Sequence, residues 1–213
     1  MKKYILWDHD GVLVDTEHWY FKSTQRALAE LGVTLEKKRY LQRMVHGLSS
    51  WELALETGID PHEVVRQRQQ RDVYYREYLA HQDIEIPGVL ETLTLLAQRY
   101  QMAIVTTSKG ADFEVIHRHR QIVPFMDFVL LREDYQKSKP DPEPYLLALQ
   151  RFGATAQDCL VVEDSQRGLQ AAMAAGIGCA IVHNEFTSSH DFTGASHFLH
   201  TLSELPALID GLS

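Results

Sequence analysis

Five short apolar runs constrain this chain more than any other feature: Tyr4–Trp7, Met102–Val105, Phe128–Leu131, Leu160–Val162 and Cys179–Val182. Apolar runs of this length, bounded by polar or turn-forming residues, suit strands buried on both faces. Amphipathic stretches separate the last four. After Pro87-Gly88, residues Val89, Leu90, Leu93, Leu96 and Ala97 fall on one helical face. Asp141-Pro142 offers an N-cap and a first-turn proline for a helix through Tyr145, Leu146, Leu149 and Phe152. Ser165 caps a third, through Leu169, Ala172 and Met173, which ends near Gly176. Strands alternating with helices predict an α/β fold with a mainly parallel sheet and right-handed crossovers.

Between Thr16 and Asp83 the period changes. No strand-like run occurs there, and Tyr20, Thr24, Ala27, Leu28 and Leu31 share a helical face. Ser49-Ser50-Trp51-Glu52 and Asp60-Pro61-His62-Glu63 read as capping boxes, each opening a helix. Arg66–Asp72 is rich in arginine, but it is short and mixed with amide and acidic groups, so it reads as a solvated helix face. The break predicts a helical insert acting as a lid, with hinges near Asp15–Thr16 and Asp83–Pro87.

Composition excludes several classes. A net charge of -8 argues against general affinity for nucleic acid or anionic membrane. No apolar run approaches the roughly 20 residues a membrane-spanning helix needs. Cys159 and Cys179 each begin an apolar run and read as small buried residues, not as a disulfide. A first strand that starts almost at once leaves no room for a signal peptide, so a cytoplasmic location is expected.

The chemistry begins where the first run stops, at Asp8, with Asp10 and Gly11 following. Acids at the carboxyl end of a buried strand sit where open α/β sheets hold ligands. Two carboxylates so close resist burial unless a divalent cation compensates them. Alone, the pair could equally be a loop. The second run ends in Thr106-Thr107-Ser108-Lys109, where a hydroxyl and turn N–H groups suit a phosphate oxygen, although a capped helix start looks the same. Lys139, before Pro140, reads by itself as an exposed loop lysine held extended by the proline. Glu163-Asp164-Ser165 closes the fourth run, and Asp164 by itself could be a helix cap. His9 is expected to point away from its two acidic neighbours, and His117 and His119 to lie on different helix faces.

Together Asp8-His9-Asp10-Gly11, Thr106, Lys139-Pro140 and Glu163-Asp164-Ser165 resemble the haloacid dehalogenase superfamily, in its motif order and across essentially the whole chain. Asp10–Glu17 and Glu163–Gly168 are similar to its β-phosphoglucomutase-like branch. The resemblance implies a Rossmann-like, doubly wound parallel sheet core, residues 1–15 and 84–213. A small α-helical cap, residues 16–83, would follow the first strand. It implies Asp8 as nucleophile, Asp10 as general acid/base, and Thr106, Thr107 and Lys139 as phosphate-binding residues. Mg2+ would be held by Asp8, the backbone carbonyl of Asp10 and Asp164, with Glu163 behind a bound water. Thr16, His18, Tyr20, Gly47, Ser50, Ser108 and Lys109 are the substrate-side candidates.

The expected activity is magnesium-dependent hydrolysis of a small organic phosphomonoester, a sugar-phosphate-like metabolite, with no nucleic acid or membrane partner. Asp10 argues against the dehalogenase and phosphonatase members, which lack an acid there. Sugar phosphomutases of the branch carry a histidine near Tyr20 and an arginine near Ser50, so mutase activity is the alternative and hydrolysis the preferred reading. A receiver domain would carry its phosphorylated aspartate after the third strand. A non-catalytic phosphate-binding protein would not need all four motifs.

Overall fold

The computed structural model describes residues 2–211. The chain divides into two compact units, residues 1–15 with 85–213 and residues 16–84.

The first unit is a six-stranded parallel sheet. Its strands are β1 (Tyr4–Trp7), β2 (Gln101–Val105), β3 (Phe128–Leu130), β4 (Cys159–Glu163), β5 (Gly178–Val182) and β6 (His197–Leu199), ordered β3-β2-β1-β4-β5-β6. In such an order the connections reverse direction between β1 and β4, which opens a crevice beyond their carboxyl ends. Ile5, Leu6 and Trp7 of β1 and all five residues of β4 are buried, as a central strand covered on both faces requires. Tyr145, Ala148, Leu169 and Ala172 pack over Leu6, Val105 and Val161 in one layer of the core. β6 was not foreseen. It is a three-residue edge strand whose Phe198 is 64% exposed, so it carries no buried apolar pattern to read. Cys159 and Cys179 are buried and free.

The second unit holds α1 (Glu17–Glu30), α2 (Lys37–Val45), α3 (Glu52–Glu56) and α4 (Pro61–His81). Phe21, Leu28, Tyr40, Leu53, Tyr75 and Leu79 form its buried side chains. Three expectations need correction here. Neither proposed capping box closes: the Asp60 carboxylate accepts from the His62 N–H at 2.7 Å and the Ser49 hydroxyl from the Trp51 N–H at 3.3 Å, with no return bond, among the described residues, from the glutamate three positions on. Within the supposedly solvated stretch, Arg71 is 3% exposed, its guanidinium 4.2 Å from the Tyr20 ring and ion-paired with Asp72 at 2.9 Å. An arginine stem packs like an apolar chain once its head is paired. Ile84, expected in the sheet unit, belongs to the helical one and is wholly buried. No helix among the described residues is long and apolar enough to cross a membrane.

The helices of the sheet unit are α5 (Val89–Leu96), α6 (Gly110–His117), α7 (Glu143–Phe152), α8 (Gln166–Ala174) and α9 (Leu205–Asp210). Ser165 caps α8 by accepting from the Gly168 N–H at 3.1 Å.

Candidate active site

The Asp8 N–H donates to the Val162 carbonyl at 2.8 Å, carrying the β1–β4 ladder one residue past Trp7. This fixes the backbone from which the Asp8 carboxylate leaves the sheet. Lys139 reaches the same point from the loop before α7, across a cis peptide to Pro140. Its ammonium, 4% exposed, donates to Asp8 Oδ1 at 2.7 Å, Glu163 Oε1 at 2.7 Å and the Val105 carbonyl at 2.8 Å. One cation therefore ties together the ends of three neighbouring strands, β2, β1 and β4.

Burial weakens the lysine's hold on its proton, but the two carboxylates outweigh burial, and its pKa is raised. Asp8 is pushed up to about 7, first by burial and then by Glu163, against the opposing pull of Lys139. The cluster thus holds more negative than positive charge.

That imbalance suits a divalent cation. Asp8, Glu163 and Asp164 each offer an oxygen, all within 4.8 Å of one another, and hard oxygen donors are the set Mg2+ takes. Glu163 is already committed. Its Oε1 accepts from Lys139 and from the Tyr145 hydroxyl at 2.9 Å, and its Oε2 from the Ser165 hydroxyl at 2.9 Å and the Asp164 N–H at 3.2 Å. It anchors the lysine and the β4–α8 turn, which leaves Asp8 and Asp164 as the side chains best placed to hold a cation. Close approach explains two glycines. A Cβ on Gly11, whose φ is +81, would stand 2.2 Å from Asp164 Oδ2; one on Gly168 would stand 1.7 Å from Glu163 Oε1.

Asp10 is held differently. Its Oδ2 accepts from the Ser108 hydroxyl at 2.6 Å and more weakly from the Thr106 hydroxyl at 3.4 Å. Thr106 is wholly buried, its oxygen accepting from the Ser108 N–H at 3.0 Å and its carbonyl from the Tyr135 hydroxyl at 2.7 Å. Thr107 is exposed, and so is Lys109 at the N-cap of α6. Ser108, a substrate-side candidate, donates its hydroxyl to Asp10.

His9 is a further correction. It is fully buried and places Nδ1 3.3 Å from Asp10 Oδ2. Alternation along a strand misleads at this position because the β1 ladder ends at Asp8. Beyond it the His9 carbonyl accepts from the Leu13 N–H at 2.9 Å and the chain curls into a turn. His117 and His119 do point apart, the second exposed and the first bonded to His9.

The remaining candidates lie in the helical unit. Thr16 and Ser50 are buried there, and Gly47 is exposed with φ +65. His18 packs edge-on against Trp19 with centroids 4.9 Å apart, and Tyr20 meets Tyr75 at 5.2 Å. Sequence reasoning missed Tyr145 and Arg167. Tyr145 lies 4.8 Å below the Lys139 ammonium as well as bonding Glu163, and Arg167 donates from Nε to the Lys139 carbonyl at 3.1 Å. In the sequence Tyr145 shows only as an apolar position of a helix, and Arg167 only as part of the Glu163–Gly168 motif, with no role attached.

The profile for haloacid dehalogenase-like hydrolases matches residues 5–182. The protein YhcW of Bacillus subtilis (strain 168) is 30% identical over 230 residues, covering 100% of this chain and 99% of that one. The fructose-1-phosphate phosphatase YqaB of Escherichia coli (strain K12) is 28% identical over 181 residues, 81% of this chain and 92% of that one. Among solved structures, CbbY from Rhodobacter sphaeroides in complex with phosphate superposes with a TM-score of 0.81. It is 22% identical, with 96% of each chain covered, a likeness of fold.

Proposed function

The chain belongs to the haloacid dehalogenase-like hydrolases, and on that premise we propose that it is a magnesium-dependent phosphatase. Its substrate would be a small sugar-phosphate-like monoester, hydrolysed through an aspartyl-phosphate on Asp8. The observation that carries the reading is the buried Lys139 ammonium, bonded at 2.7 Å to both Asp8 and Glu163. A fixed cation beside a carboxylate at the mouth of a parallel sheet is what an incoming phosphoryl group needs.

In the first half of the reaction, Asp8 attacks phosphorus in line and the ester P–O bond breaks, while Asp10 protonates the departing alkoxide. In the second, Asp10 takes a proton from the water that attacks the aspartyl-phosphate, and inorganic phosphate leaves with Asp8 regenerated. Lys139 neutralises a phosphoryl oxygen throughout, and Thr106 orients Asp10 and the loop behind it. Mg2+, held by Asp8, Asp164 and the Asp10 carbonyl, would supply the positive charge that keeps Asp8 ionised and offsets charge building on the phosphoryl oxygens. Hydrolysis is preferred over isomerisation because YqaB, similar over most of this chain, is a fructose-1-phosphate phosphatase.

A panel of phosphomonoesters, including fructose 1-phosphate and both glucose 1-phosphate anomers, tests this. It is scored for free phosphate and for isomerised sugar, with Mg2+ and with EDTA. Phosphate release that needs Mg2+ and vanishes in Asp8→Asn is expected. Isomerised sugar without free phosphate, or release undiminished by EDTA, would overturn the reading.

A further inference from the structure

The mechanism above leaves a histidine pair unused, one ring buried and the other half-buried. Both ring nitrogens of His9 meet partners: Nδ1 lies 3.3 Å from Asp10 Oδ2, and Nε2 lies 2.9 Å from His117 Nε2. Phe113 packs against both rings, its centroid 5.1 Å from that of His9 and 4.2 Å from that of His117. The far nitrogen of His117, Nδ1, is buried with no hydrogen-bond partner among the described residues.

The tautomers follow from these contacts. A nitrogen–nitrogen contact of 2.9 Å needs one donor and one acceptor. If His9 donated, His117 would have to carry its hydrogen on Nδ1, leaving a buried donor with nothing to bond. A neutral His9 would then also turn a lone pair on Nδ1 toward the Asp10 carboxylate. With the direction reversed, His117 donates from Nε2 to His9 Nε2, and His9 donates from Nδ1 to Asp10 Oδ2. Only a lone pair on His117 is then left over. A neutral His117 agrees with this, since burial first and His9 second lower its pKa to about 3.

We propose that His9, held in one tautomer by His117, is a positioning residue that fixes the rotation of the Asp10 carboxylate. With Ser108 it anchors Oδ2, so that Oδ1 is the oxygen that exchanges a proton with the leaving group. An oxygen already accepting from Ser108 and His9 is a poor seat for a proton, so the proton goes to the other oxygen of the same group. Proton transfer demands that this oxygen stay aligned with the ester oxygen, and a carboxylate free to rotate loses that alignment. The proposal rests on the phosphatase reading and adds to it a residue pair that makes leaving-group protonation efficient.

The test compares two esters by kcat/KM, which reports the first, leaving-group step. One is the fastest sugar phosphate of the panel, whose alkoxide needs a proton. The other is 2,4-dinitrophenyl phosphate, whose phenolate leaves without one. His9→Phe should lower kcat/KM on the sugar phosphate by about 10- to 100-fold, within the range general acid catalysis supplies. On the dinitrophenyl ester it should change by no more than about threefold, because that transition state needs no proton. His9→Asn, which keeps an N–H near the Nδ1 position, should recover most of the loss. His117→Phe should show the same split at smaller amplitude, and His117→Gln, which keeps a donor, should not. The His117 variants decide the question alone if His9→Phe does not fold.

Equal losses on both esters, or an unchanged sugar-phosphate rate in the folded variants, would overturn the positioning role. The two readings fail separately. If the wild-type chain releases phosphate from neither ester, the phosphatase reading falls and this one with it. If wild type is active but Asp10→Asn shows no split between the esters, Asp10 is not the acid.

Discussion

Asp8 and Asp10 stand two residues apart, yet the fold grips them by different means. Asp8 is held by charge: a buried ammonium at 2.7 Å, with a second buried carboxylate on its other side. Asp10 meets no lysine or arginine in these contacts: its Oδ2 accepts from a serine hydroxyl at 2.6 Å and lies 3.3 Å from a histidine nitrogen. The difference matches what each would have to do. A nucleophile must be ionised and still, and the fixed ammonium favours both against the burial and the Glu163 charge that push Asp8 up to about 7. An acid/base must gain and lose a proton within one turnover, and a full charge beside it would lock it in one state. Hydroxyl and imidazole donors orient a carboxylate while leaving both states accessible.

The sharpest break of that comparison is Asp8→Asn. With no nucleophile, kcat should fall by about 10⁴-fold or more, measured by phosphate release. Asp10→Asn should lose about 10²- to 10⁴-fold, and a smaller loss there would mean that the two acids are not divided as argued. Lys139→Met leaves the wholly buried Glu163 without its cation, and urea unfolding at pH 7 should show about 3–5 kcal/mol of lost stability. The neutral side should be far more forgiving. Ser108→Ala removes one hydrogen bond to a partly exposed carboxylate and should cost about 1 kcal/mol in the same assay. Comparable costs for the two would erase the distinction between charged and neutral grip.

The smallest effect lies in pH dependence. The folded chain lowers the His117 pKa from 6.5 to about 3, mainly through burial. Between these values the unfolded chain binds a proton that the folded chain refuses, so stability falls as pH drops through the window. His117→Gln removes that titration. Its urea midpoint should therefore decline less between pH 6.5 and about 4 than that of the parent. An identical decline would mean that His117 titrates like a free histidine.

Local patterning carried most of the architecture. Within the apolar runs, Ile5–Trp7, Leu160–Val162 and Cys179–Val182 are buried on both faces, and such runs announce themselves by composition alone. The helical insert was legible for the same reason, because a switch of period from strand to helix survives whatever the tertiary packing does. Asp8, Lys139, Glu163 and Asp164 were legible as strand-end or loop residues with a chemistry in common. What was not legible was partnership. Glu163 reads as an acid behind a metal-bound water, and its bonds to Lys139, Tyr145 and Ser165 leave no local trace in the sequence. Ser108 reads as a substrate contact, and nothing near it in sequence announces its bond to Asp10.

By itself, then, the sequence determined where β1 to β5 and the helical stretch after β1 lie and which polar residues end at the sheet's carboxyl edge. Both are decided by neighbours a few positions away. Only the tertiary structure decided that His9 turns toward Asp10 and finds His117 108 positions along the chain, or that three-residue β6 joins the sheet. Contacts of that range leave no period in the sequence. They depend on where a turn sends one side chain after regular pairing stops, and local spacing cannot specify that.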